Sequence, residues 1–401
     1  MHTLGIDLST DPRKVWACQI DWSEAPPRVA SLVQLSALPD PLADTPPPGT
    51  ERPPIRTEAS LIAGLVEQIS RFGPSAERIV GIDAPLGWPS AFVEAVADWD
   101  DGDLQGFRKR ADLRLRATDR FVHALTGITP MSVSTDRMGS TAMVLAEVLS
   151  RTAAKLDRGA FARSSAADGI AEVHPTAALR LWTHLGGERF DTSGYRSTSR
   201  YGNPREGLLI GLIACGLEVT PDHGQAMLDS ADAMDAFVCA LVARAVALRQ
   251  TVQASGGVDL QDIVPKASAG PRGETIEQTT ARLDLAREVL DEAQRTADSE
   301  GWIHLPRRSD LAAALGLVPG SASWAPIPSP REAFDPFGRW SNGDGQTNAA
   351  DPDEYGPVLR FVGEGDFVEE AADSADDFDD ELVVVPRWQV RPDVLRREAR
   401  G

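Results

Sequence analysis

The sequence predicts an α/β domain in which a mixed sheet is flanked by helices. Three observations carry this prediction. First, the segments His2 to Leu8, Lys14 to Trp22 and Arg28 to Leu35 are rich in Val, Ile and Leu. The links between them are short enough to require antiparallel pairing. Second, Arg78 to Asp83 (RIVGID) shows little polar alternation, as a central strand buried on both faces does. Third, the stretch from about Asp232 to Arg249 contains AFVCALVARAVAL. It is apolar on nearly all sides, as expected of a helix sandwiched against a sheet.

The elements follow in order. Asp11-Pro12 and Ala25-Pro26-Pro27 supply the first two turns. Pro39 to Pro54 is Pro-rich, lacks an apolar period, and reads as an exposed loop. In Glu58 to Phe72, the residues Leu61, Ile62, Leu65, Val66 and Ile69 share one helical face. The fourth strand ends in Asp83-Ala84-Pro85-Leu86-Gly87-Trp88-Pro89. Helices are expected at about 89–98, 104–126 and 138–157, and a short strand at about 169–173. Further helices are expected at about 176–185 and 204–215, before the long apolar helix. Residues 251–297 read as a linker and helical insertion, with an amphipathic helix over about 278–298. Glu300 to Pro306 reads as a last short strand or docking segment. The compact domain is thus expected over 1–306, and a separate tail over 307–401.

Charge supports that division. The 401 residues carry a formal net charge of −20. From Asp344 to Glu381 there are 14 acidic residues and one basic residue, which supplies −13 of it. Such a stretch repels itself and buries little, so a mostly disordered tail is expected. The average argues against wholesale coating of nucleic acid. However, Arg108 to Arg163 holds 11 basic and 5 acidic residues, a local excess of +6. That excess reads either as a basic surface or as solvated helix faces. The acidic tail could compete for such a surface or bind a basic protein partner.

Cys18, Cys215 and Cys239 each sit among apolar neighbours and read as buried free thiols of a reducing compartment. The longest apolar run, about Gly207 to Leu217, is too short to span a bilayer. No signal-peptide pattern opens the chain. A cytoplasmic protein without a membrane partner is expected. No P-loop, HExxH motif, Gly-x-Ser-x-Gly elbow or dinucleotide fingerprint is present.

The informative pattern is a set of carboxylates at element ends. Asp7 closes the first strand, Asp83 the fourth and Glu172 the late one, while Asp232 and Asp235 open the apolar helix. The spacing of the last two puts them on one face of its first turn. Converging carboxylates cannot all ionise cheaply. Hard divalent cations, Mg²⁺ or Mn²⁺, suit such oxygen ligands. Two such ions about 3.5–4 Å apart activate water and stabilise the leaving oxygen in phosphodiester cleavage. Each acid also has a plainer reading, as a turn residue or as a helix-start residue favoured by the macrodipole.

Other candidates surround this set. Arg116 and Asp119 read as phosphate-holding residues or as an intrahelical pair. His174 reads as a base, a ligand or a hydrogen-bonded structural histidine. Tyr195, Arg196, Arg200 and Tyr201 lie in a polar stretch that is either a substrate loop or an ordinary surface loop.

The order of these pieces resembles the ribonuclease H-like plan, and DAMDAFVCAL is similar to the last catalytic helix of Holliday-junction resolvases. More closely, the chain resembles the family filed as domain of unknown function 429, described as predicted ribonuclease H-like nucleases. The matching pieces are GIDLS, GIDAPLGWP, RLRATDR, EVHPTAALR, SADAMDAFVCALVARA and EGWIHLP. They frame about residues 1–250 and 298–306. The resemblance implies a ribonuclease H-like fold and a metal-dependent nuclease acting on nucleic acid, with Asp7, Asp83, Asp232 and Asp235 as catalytic metal ligands. Glu172 has no clear counterpart in the simple fold and is either an added ligand or structural. Arg116, Asp119, His174 and Arg200 are the substrate-binding candidates. Two other functional classes stand beside this one: a non-catalytic interaction protein on the same scaffold, and an actin-like or sugar-kinase-like nucleotide binder. The second lacks the duplicated fold and Gly-rich phosphate loops usual in that class.

Overall fold

A computed structural model describes residues 1–317 apart from 46, 48, 98–109, 129, 135–136, 191, 193, 197–203, 256–259 and 264–275. The acidic tail, Arg200 and Tyr201 lie outside the described residues. The described residues belong to one compact unit, Met1–Gly343.

Its centre is a five-stranded sheet of β1 (His2–Asp7), β2 (Trp16–Asp21), β3 (Arg28–Gln34), β4 (Arg78–Asp83) and β5 (Ile170–Glu172). The spatial order is β3-β2-β1-β4-β5. The first three strands pair antiparallel, while β1–β4 and β4–β5 pair parallel. This is the mixed sheet flanked by helices that the sequence predicts. The segment after Gly301 docks beside the outer strand: Ile303 bridges Glu172 in parallel, and His304 N–H donates to the Glu172 carbonyl at 2.9 Å.

Strand alternation decides what covers each face. Leu4, Ile6, Val80 and Ile82 point to one side. There they pack with α1 (Glu58–Phe72) and α5 (Arg137–Lys155) through Leu61, Leu65, Val144 and Val148. Cys18, Ile20, Ile79 and Ala171 point to the other, onto α9 (Ala231–Ala247). Each such aliphatic side chain stabilises the fold by roughly 1.5–3 kcal/mol when fully buried. The helix α1 begins at Thr57, whose hydroxyl accepts from Ser60 N–H, and ends at Gly73 with φ of 66°. Both are the local chemistry that helix ends need.

A third apolar cluster joins α4 (Ala117–Thr126) to α11 (Ile276–Glu300), with Phe121 and Trp302 rings stacked 5.8 Å apart. α6 (Pro175–Leu181) contributes Ala177 and Leu181 to it. α7 (Pro204–Ala214) and α8 (Pro221–Asp229) precede α9.

Several expectations need correction. The single helix expected over 104–126 breaks at Arg116, which is extended (φ −70°, ψ 161°). There the Asp119 and Glu300 carboxylates accept the N–H groups of Arg116 and Ala117, so a new helix starts. The helix expected over 176–185 ends at Leu181. Residues 221–229 form a further helix not among those expected, begun by Thr220-Pro221, a standard start signal. Finally, packing continues past Pro306. A short helix, Leu311–Leu315, buries Leu311 and Leu315 completely in the α9-side core, and Asp310 caps it. The compact part therefore does not end at residue 306.

Candidate active site at the strand ends

Asp7 and Asp83 are register partners at the ends of the adjacent parallel strands β1 and β4. Two residues before each stands a glycine, Gly5 or Gly81, on the same face. Both glycines exist to let α9 lie directly on the sheet. A Cβ on Gly5 would stand 2.0 Å from the Ala236 carbonyl oxygen and 2.3 Å from Ala240 N. One on Gly81 would stand 2.5 Å from the Cys239 carbonyl oxygen. Backbone therefore meets backbone, and the first turn of α9 arrives over the two strand ends carrying Asp232 and Asp235. The cap of α9 is Ser230, whose hydroxyl accepts from Ala233 N–H at 3.2 Å. Neither aspartate is consumed as a cap.

The resulting cluster is short of positive charge. Burial pushes Asp7 well above the usual carboxylate range, and repulsion from Asp83, Asp235 and Asp232 pushes it further. Asp83 is pushed up to about 8 by burial and by Asp235. Asp235 is fully buried and pushed up to about 6 by burial, against the opposing effect of Arg196. Tyr195 and Arg196, from the polar stretch expected to be a substrate loop or an ordinary surface loop, both reach this cluster. The buried Tyr195 hydroxyl donates to Asp235 Oδ1 at 2.5 Å and lies 3.0 Å from Thr176 Oγ1. Arg196 Nη1 lies 2.8 Å from Asp235 Oδ2. The turn bearing both is fixed by the buried Arg205, which donates to the Tyr195 carbonyl and to the Leu228 carbonyl at 2.6 Å each. No motif spacing marks Arg205, so sequence alone offered no signal for it.

The donor set, carboxylate oxygens in excess over cations, fits a hard divalent ion in its chemistry. Among the described residues, no three His, Cys, Asp or Glu side chains stand together closely enough to hold an ion. Asp235 is instead paired with Arg196.

Arg116, Asp119 and Glu172 form a different unit. Arg116 is 1 % exposed. Its Nε and Nη2 donate to Asp119 at 3.0 and 2.8 Å, and Nη2 and Nη1 donate to Glu172 at 2.6 and 2.9 Å. Nη1 also donates to the Glu300 carbonyl at 3.1 Å. Every guanidinium N–H is used. This corrects the phosphate-holding expectation for Arg116 and Asp119, since neither has a donor or surface to offer a substrate. Glu172 also accepts from Leu86 N–H at 2.8 Å, which ties the loop after Asp83 to β5. Of the two readings of Glu172, an added ligand or a structural residue, these contacts are those of the structural one. The Glu300 side chain accepts from Ser90 N–H at the start of α2 (Ser90–Ala97) and from Ala117 N–H. Glu300 was not singled out as a site residue in the sequence. His174 caps α6, with Nδ1 3.5 Å from Ala177 N, and burial lowers it to about 4. This contact is the hydrogen-bonded structural alternative among the three readings of His174. Arg200 lies outside the described residues.

Some of the basic residues of the 108–163 region are paired among the described residues. Arg120 pairs with Asp112 and Glu292, Arg151 with Glu147, and Lys155 with Glu67. No helix among the described residues is long and apolar enough to cross a membrane.

The family described as "protein of unknown function (DUF429)" matches residues 44–258. The matched span contains Asp83, Tyr195, Arg196, Asp232 and Asp235, and it starts after Asp7. No curated protein and no solved structure matches the chain.

Proposed function

The chain belongs to the family described as protein of unknown function (DUF429), and from its carboxylate cluster we propose a metal-dependent hydrolase of phosphodiesters, acting on nucleic acid. The observation that carries the reading is the level placement of Asp7 and Asp83 on adjacent strand ends, with Asp235 delivered above them by a helix seated on Gly5 and Gly81. In hydrolysis, water oxygen bonds to phosphorus, the bond to the leaving oxygen breaks, and a proton passes to that oxygen. Asp7, Asp83 and Asp235, with Asp232 beside them, would hold Mg²⁺ or Mn²⁺. Such an ion supplies Lewis acidity toward the phosphoryl oxygen and a more acidic water. Tyr195 orients Asp235 by donating to Oδ1. The half-exposed Arg196, once released from Asp235, would offer a cation to a phosphate oxygen.

The pairing of Asp235 with Arg196 favours a second reading, a non-catalytic interaction protein on the same scaffold, because it gives the acid a counter-charge without a metal. One assay separates the two. The full chain is incubated with labelled single-stranded, duplex and branched DNA and RNA in Mn²⁺, beside Asp7→Asn. Cleavage by the wild type, reduced at least about a hundredfold in a folded D7N, is expected. Equal cleavage by both contradicts the hydrolase reading, and no cleavage of any substrate favours the scaffold.

A further inference from the structure

We propose that Arg196 is a tethered counter-cation that occupies the positive-charge position of the carboxylate cluster and has to leave Asp235 before a divalent ion can bind. The inference deepens the metal-dependent reading and rests on it.

Three observations argue for displacement. The first is asymmetry of anchoring. Asp235 is fully buried and Tyr195 is 3 % exposed, whereas the Arg196 side chain is 51 % exposed. The fixed partners are internal, and the moving one has a path to water. The second is the quality of the contact. Arg196 Nη1 is 2.8 Å from Asp235 Oδ2, yet that buried oxygen accepts no hydrogen bond among the described residues. The attraction is one of charge, without the forked geometry that makes an Arg–carboxylate contact hard to exchange. Arg116 shows the contrast, since all of its donors are directed and it is enclosed.

The third is the reach of the charge. Arg196 acts on Asp7 and Asp83 as well as on Asp235. It therefore serves the cluster as a whole. A divalent ion offers twice the charge to the same acids, while a half-exposed guanidinium loses little by returning to solvent. The two cations compete for one place, so metal affinity in the resting protein is set by how firmly Arg196 holds.

The test is a Mn²⁺ titration of the full chain, followed by the paramagnetic signal of free Mn²⁺, for the wild type, Arg196→Gln and Arg196→Lys. Competition is expected to make R196Q bind Mn²⁺ at least about tenfold more tightly than the wild type, with R196K close to the wild type. Equal affinity in wild type and R196Q overturns the competition while leaving the metal site standing. Binding by none of the three overturns both the competition and the metal reading beneath it. A second measurement needs no variant. Saturating Mn²⁺ is expected to speed modification of Arg196 by an arginine-specific dicarbonyl several-fold, read by mass spectrometry of its peptide. Unchanged reactivity in the Mn²⁺-bound protein overturns the displacement.

Discussion

Asp83 illustrates how a single side chain reports the state of the site. Its folded-state value of about 8 lies above the ordinary 3.8 because burial and Asp235 both disfavour the anion. Between those values the folded protein keeps a proton that the unfolded chain has released. Its stabilising contribution is therefore complete below the ordinary value and is lost as pH rises through about 8. In chelator, Asp83→Asn is expected to gain stability relative to the wild type as pH is raised from about 5 to about 8, measured by urea midpoints. A difference between the two proteins that does not change with pH contradicts the assigned burial and repulsion. The acids at element ends were legible in the sequence, because strand ends and helix starts can be read from periodicity. The roles of Arg116 and Glu172 were not. Their spacing in RLRATDR and EVHP is equally compatible with ligand binding. Only the tertiary fold reveals that they consume one another, 56 residues apart.

The placement of α9 is the element on which the site depends. Its apolar sides were visible in the sequence, and the sandwiching follows from them. The closeness of its approach was not visible, since a glycine in GID reads as readily as a bulge or a turn. The structure assigns Gly5 and Gly81 to backbone contact with the helix. Gly5→Ala is expected to cost about 3 kcal/mol or more in denaturant unfolding, because the obstructing atoms at 2.0 and 2.3 Å are backbone and cannot rotate away. A loss below about 1 kcal/mol contradicts the seating of the helix. The break between Arg110–Arg114 and α4 was illegible for a related reason. Local propensity favours a continuous helix there. Glu300, 183 residues away, supplies the acceptor that starts the second one at Ala117.

At the level of the whole molecule, most elements of the sheet and its flanking helices were legible because they obey periods of two and 3.6. The end of the packed region was not. Leu311 and Leu315 lie beyond a Pro and several charged residues, yet they complete the α9-side core. The central claim is that the strand ends and the start of α9 form one carboxylate site for a divalent ion. It is tested most directly by titrating Mn²⁺ into the full chain and into an Asp7→Asn/Asp83→Asn double variant shown to be folded by circular dichroism. Saturable binding by the wild type, weak because Arg196 competes, and lost in the folded double variant, is the expected result. Binding that survives the double substitution, or no binding by the wild type, contradicts the account.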